Sequence, residues 1–138
     1  MDMNTLSETL TVSGQVGPAD VPAIAAAGFG SIVCNRPDGE AEDQPSAADV
    51  ALAAWKNGLE FHYLPIFPGE FSADKVAAFL ALRQRADKPV FAYCRTGTRC
   101  ATLNALANPE GKTADELIEA GEDAGYDLCA LRPMIATG

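Results

Sequence analysis

The sequence predicts an α/β fold, a single domain with a mainly parallel central sheet and helices on both faces. Three observations lead there. Short apolar runs rich in β-branched and aromatic residues alternate with longer stretches of helical spacing. Most joins between them carry a helix cap or a turn signal. The chain has 138 residues, enough for one domain, 1–138, with a hydrophobic core of its own.

Taken in order, "LTVSGQV" at 10–16 reads as a short strand running into a turn. "PADVPAIAAAG" at 18–28 is a helix, with Pro18 near its start and Gly28 as its stop. "SIVCN" at 31–35 is a buried strand, and "RPDGEAEDQP" at 36–45 is a loop around a Pro-Asp-Gly turn. Ser46 caps a helix that runs to 57, and Gly58 ends it. "EFHYLPI" at 60–66 is the next strand and "FPGEF" at 67–71 the loop after it. Ser72 caps an amphipathic helix with Val76, Phe79, Leu80 and Leu82 on one side. "PVFAY" at 89–93 is a strand, and a helix follows from Thr98 or Arg99 to about 108. Thr113, with Glu116 three residues on, forms a capping-box pattern for a further helix. The segment 126–138 reads as irregular. Trp55, Phe61, Tyr63 and Phe79 are assigned to the core, and so are Phe67 and Phe71 beneath their loop. His62, inside its strand, and Cys34 are given structural places.

Composition narrows the function. Net charge is −9 and the isoelectric point about 4.4, so the long-range field repels nucleic-acid phosphates and anionic membrane surfaces. An anionic substrate therefore needs a local basic pocket. No apolar stretch has the length of a membrane span, and the first residues, Met-Asp-Met-Asn-Thr, carry neither the basic region nor the apolar run of a secretory signal. The four cysteines, Cys34, Cys94, Cys100 and Cys129, are irregularly spaced, with no CxxC pair and a single histidine. That argues against a disulfide scaffold and a zinc site, and for free thiols in a reducing cytoplasm. No metal or cofactor is expected.

The chemistry is expected in "FAYCRTGTRC" at 91–100. In a parallel sheet, ligands bind beyond the carboxyl ends of the strands. Cys94 falls at such an end. Asn35, Arg36 and Asp38 follow a second strand, and residues 67–71 a third, which puts three loops on one rim. A strand, a tight turn and a helix N-terminus gather backbone N–H groups and partial positive charge at one point. Gly97 permits the positive φ that curves the amides of Arg95, Thr96, Gly97 and Thr98 into an anion-binding nest. A thiol opening onto that nest, with Arg99 beside it, ionises below its ordinary pKa and becomes nucleophilic.

"CRTGTR", with "NRPDGE" at 35–40, "QPS" at 44–46 and "PGEFSADKVAAF" at 68–79, resembles the beta-lactamase-hydrolase-like protein, phosphatase-like domain family. The resemblance covers about residues 12–107. It implies a fold similar to the dual-specificity tyrosine phosphatases and a thiol-dependent enzyme, with Cys94 as nucleophile and Arg99 as anion-binding residue. Members of this bacterial family occur alone or fused to metallo-beta-lactamase-like domains of persulfide metabolism. Three departures from the tyrosine-phosphatase pattern stand out. Spacing is Cys-x4-Arg rather than Cys-x5-Arg, with Tyr93 in place of the histidine, a loop length shared with rhodanese sulfurtransferases. The upstream loop offers Glu70 rather than an aspartate as general acid. Cys100 stands where a serine is usual, either as a weaker donor to Cys94 or as a resolving thiol.

Three readings stay open. The first is a phosphatase-like hydrolase working through a phosphocysteine. The second is a rhodanese-like sulfurtransferase carrying a persulfide on Cys94. The third is a non-catalytic redox or anion-sensing module. The expected partner is a small phosphorylated or sulfane-sulfur compound, or such a group on a protein, and not nucleic acid or membrane. Arg36, Asp38 and Glu70 are candidate rim or acid residues.

Overall fold

The computed structural model describes residues 1–135. They form a five-stranded sheet in the order β1-β2-β5-β3-β4. The strands are β1 (Asn4–Ser7), β2 (Leu10–Ser13), β3 (Ser31–Cys34), β4 (Glu60–Tyr63) and β5 (Val90–Tyr93). β2, β5, β3 and β4 run parallel, and β1 pairs antiparallel with β2. The helices are α1 (Val21–Ala26), α2 (Ala47–Lys56), α3 (Ala73–Arg85), α4 (Thr98–Ala107) and α5 (Ala114–Ala124), with short 3-10 turns at Pro18–Asp20 and Cys129–Met134.

Every residue of β2, β3 and β5 is buried, as strands covered on both faces require. Alternation divides them between two cores. Val12, Val33, Val90 and Ala92 pack with Phe79, Leu82, Ala101, Leu103 and Ile118 on the face of α3, α4 and α5. Ile32, Cys34, Phe91 and Tyr93 pack with Val21, Ile24, Val50 and Ala54 on the face of α1 and α2. The caps read from sequence form: Ser46 accepts from Asp49 N–H, Ser72 from Lys75 N–H, and Thr113 and Glu116 make a reciprocal capping box.

Several core assignments need correction. Trp55 is 76% exposed, because it lies on the outer side of α2. Tyr63 ends the edge strand and is 46% exposed, its hydroxyl accepting the Asp38 N–H at 3.0 Å. Phe67 projects from its loop at 55% exposure, whereas Phe71 packs against the core. In the segment read as irregular, the 3-10 turn organises residues 129–134, and 136–138 lie outside the described residues.

Candidate active site

Four strands end on one line, with Ser13, Tyr93, Cys34 and Tyr63 in register. Their following loops therefore share one rim, one loop more than the sequence suggested, because β2 is parallel too. Backbone bonds carry the alignment past the strand ends. Cys94 N–H donates to Ser13 O at 3.2 Å, Asn35 N–H to Tyr93 O at 2.8 Å, Leu64 N–H to Cys34 O at 2.9 Å, and Gln15 N–H to Arg95 O at 3.3 Å.

Residues 94–99 turn from β5 into α4. Gly97 is the N-cap, at φ 94°, in the left-handed region. Its N–H donates to Cys94 Sγ at 3.1 Å. The Tyr126 hydroxyl explains that aim. It donates to Thr96 O at 3.1 Å and accepts from Asn4 Nδ2 at 2.9 Å. In a trans peptide the C=O and the following N–H point opposite ways. Holding the Thr96 carbonyl outward thus turns the Gly97 N–H inward onto the sulfur. A Cβ at residue 97 would overlap Tyr126 Oη. Gly97→Ala is accordingly expected to destabilise the fold by at least about 1–2 kcal/mol from the left-handed backbone alone, lowering the unfolding temperature and raising the Cys94 pKa by turning the amide away.

The Cys94 thiol is lowered to about 5. The Cys100 thiol, acting as donor, is the largest cause; burial opposes it, and the amides of Cys100, Thr96 and Gly97 add to it. Cys100 itself is pushed well up by burial and by the neighbouring Cys94. A thiol held protonated suits donation better than nucleophilic attack, and both cysteines are free. The weaker activation expected from a cysteine at this position is thus offset by the amides and by its own donation. Cys94 opens onto the nest but not onto solvent: it has 0% exposure. It packs in the core cluster with Cys100 and Ala101.

Arg99 links three of the loops. Its Nη1 donates to Glu40 Oε2 at 2.9 Å and to Ile66 O at 2.8 Å, and its Nη2 donates to Glu40 Oε1 at 2.8 Å. Arg36 joins the same carboxylate through Nε, at 3.0 Å from Oε1, and reaches Gln15 Oε1 through Nη1 at 3.0 Å. The Arg99 guanidinium holds the Glu40 carboxyl below its ordinary value, with Arg36 reinforcing it. Glu40 is therefore ionised near neutrality and unsuited to donate a proton. A guanidinium has five N–H donors in a rigid fork. With the Nη1–Nη2 edge on Glu40, the Arg99 Nε–H and one Nη2–H have no partner among the described residues. That second edge can take two oxygens of an oxyanion.

The other sequence candidates fall elsewhere. Asp38 Oδ1 accepts the Ala47 N–H at 2.8 Å, which engages it as a cap on α2. Glu70 is exposed in a turn closed by its own N–H on Phe67 O at 2.9 Å, with no described side-chain partner. Arg95, Thr96 and Thr98 are exposed on the loop, the two threonine hydroxyls 3.0 Å apart. Cys34 is buried and donates to Arg36 O at 3.2 Å. Glu40, Gln15 and Tyr126 were missed. "NRPDGE" contains Glu40, but nothing local marks it as the partner of an arginine 59 residues away.

The profile of the family described as "Beta-lactamase hydrolase-like protein, phosphatase-like domain" matches residues 2–111. The chain belongs to that family. A beta-lactamase hydrolase-like protein of Agrobacterium fabrum is 37% identical over 127 residues, which cover 91% of this chain. The chain spans about 30% of that relative's length. The crystal structure of a candidate phosphatase from Neisseria meningitidis Z2491 superposes with a TM-score of 0.84 at 38% identity, covering 96% of this chain and 95% of that one. Tk-PTP, solved in its active form, superposes at 0.73 with 18% identity, covering 96% and 91%. The family fold is thus tyrosine-phosphatase-like, and the loop of Cys94 and Arg99 lies within the matched residues. No described helix is long and apolar enough to cross a membrane.

Proposed function

We propose that this phosphatase-like domain is a cysteine-dependent phosphomonoester hydrolase. The observation that carries the reading is the Gly97 N–H on Cys94 Sγ at 3.1 Å, at the N-terminus of α4. The Cys94 thiolate attacks phosphorus, the S–P bond forms, and the P–O bond to the leaving group breaks with its electrons. The amides of residues 95–99 and the free edge of Arg99 hold the equatorial oxygens as charge redistributes. Water then attacks phosphorus and loses a proton to solvent. The S–P bond breaks, releasing inorganic phosphate and restoring the thiolate. Because the sulfur is covered, a substrate reaches it only after the atoms over it move aside.

Neither carboxylate considered for the part stands ready to protonate the leaving oxygen: Glu40 is held ionised and Glu70 is exposed in its turn. The leaving group must then depart largely as an anion. Aryl phosphates are expected to turn over at least about 10²-fold faster than alkyl phosphates, a gap of the size general-acid catalysis normally closes. Vanadate should inhibit, by occupying the same nest. Equal rates for the two classes, or no turnover above a buffer blank between about pH 5 and 8, would reject the reading.

The missing acid and the Cys-x4-Arg spacing favour sulfur transfer as the second reading, since a thiolate leaves without protonation. On that reading, a mass gain of one sulfur on Cys94 follows treatment with thiosulfate, and an unmodified Cys94 removes it.

A further inference from the structure

Beside the Cys94 loop lies an open cleft of about 350 Å³, lined by Gln15, Arg36, Glu40, Asp43, Gln44 and Arg95, among others. That volume suits a small molecule. Part of its polar wall is fixed in place. The Arg36 side chain is 7% exposed and clamped between Glu40 and Gln15. Gln44 accepts the Glu40 N–H at 3.1 Å and donates to Pro37 O at 2.9 Å. Two donor groups remain unused. The second Nη of Arg36 has no partner among the described residues, and neither has the exposed Arg95 guanidinium. Glu40 offsets only part of their charge, because it is shared with Arg99.

In a chain of net charge −9, two arginines with spare donors on one small cleft offer an anion a local cationic contact, set against the lining carboxylates Glu40 and Asp43. The cleft borders the candidate active site through Arg95 and Glu40, which are among its lining residues. Arg95 directly follows Cys94, so their Cα atoms are about 3.8 Å apart, and Glu40 contacts both Arg36 of the cleft and Arg99 of the loop.

We infer that the substrate is a small molecule with two anionic groups, the one transferred lying over Cys94 and the other held in the cleft by Arg36 and Arg95. The proposal rests on the hydrolase reading for the fate of the first group, but not for the binding of the second. Asp43, the lining carboxylate with no described partner, limits how negative that second group can be and still bind well.

Binding to the Cys94→Ser protein, measured by calorimetry at low salt, tests it directly. The probes are propanediol bisphosphate and propyl phosphate. The bisphosphate is expected to bind at least about 10-fold tighter, the scale of one added charge-assisted contact. In the Cys94→Ser, Arg95→Ala protein that advantage should shrink to about 2-fold or less. Equal affinity for the two probes overturns the proposal, and so does an advantage that survives the loss of Arg95. The two readings fail separately. A protein that prefers the bisphosphate yet hydrolyses no aryl phosphate keeps the second-anion site and loses the hydrolase reading. Turnover of aryl phosphate with no preference for the bisphosphate does the reverse.

Discussion

Cys94→Ser is expected to remove aryl-phosphate hydrolysis, by a factor on the order of 10⁴ or more, while leaving a folded protein that still binds vanadate or phosphate. The size follows from what is lost. A thiol lowered to about 5 is almost wholly ionised near neutrality, whereas a serine hydroxyl in the same place is not ionised at all. Loss of a nucleophile costs factors of this order in other covalent enzymes. The Gly97 amide that donates to the sulfur can donate to a serine oxygen, so the nest and its affinity for an oxyanion should persist. Single-turnover kinetics with an aryl phosphate provide the measurement. A variant retaining a tenth of the activity would place the nucleophile elsewhere.

Arg99→Lys carries the second large effect, a fall in kcat of roughly 10²–10³-fold with a smaller change in KM. Lysine keeps the positive charge, so the experiment isolates geometry from charge. Arginine can grip Glu40 with one edge and offer a second, planar edge to two phosphate oxygens. An ammonium has one centre, and Glu40 competes for it. The bond from Nη1 to Ile66 O at 2.8 Å is lost as well, loosening the loop after β4. A lysine variant within about 3-fold of wild type would mean that Arg99 contributes charge alone.

Much of the fold was readable because its signals are local. Ser46, Ser72 and Thr113 each stand directly before an apolar-periodic segment, and each caps its helix as the spacing implied. The buried strands announce themselves as apolar runs of β-branched and aromatic residues. β1 did not: "NTLS" is mostly polar, and it pairs through a short turn at the sheet edge, where one side needs little apolar surface. The Cys94 loop was legible for the same local reason, since strand end, glycine and helix start fall within six residues. What surrounds it was not. Glu40 reaches Arg99 across 59 residues, and Tyr126 reaches Thr96 across 30, from a segment with no pattern of its own. Asp38 and Glu40 are two residues apart in one turn, and only the folded path decides which caps a helix and which holds the arginines. The complete burial of the sulfur was equally hidden, because it depends on packing with α4 rather than on composition.

The proposed chemistry needs an ionised sulfur at the start of α4, and one titration addresses it. The thiols of Cys34, Cys100 and Cys129 are all pushed above their ordinary value, the first two mainly by burial and the third by Asp127. Thiolate ultraviolet absorbance that appears in acid therefore belongs to Cys94 alone. In the difference between wild type and Cys94→Ser it should rise with a midpoint at about 5. A midpoint near the ordinary thiol value of 9.0 would contradict the account.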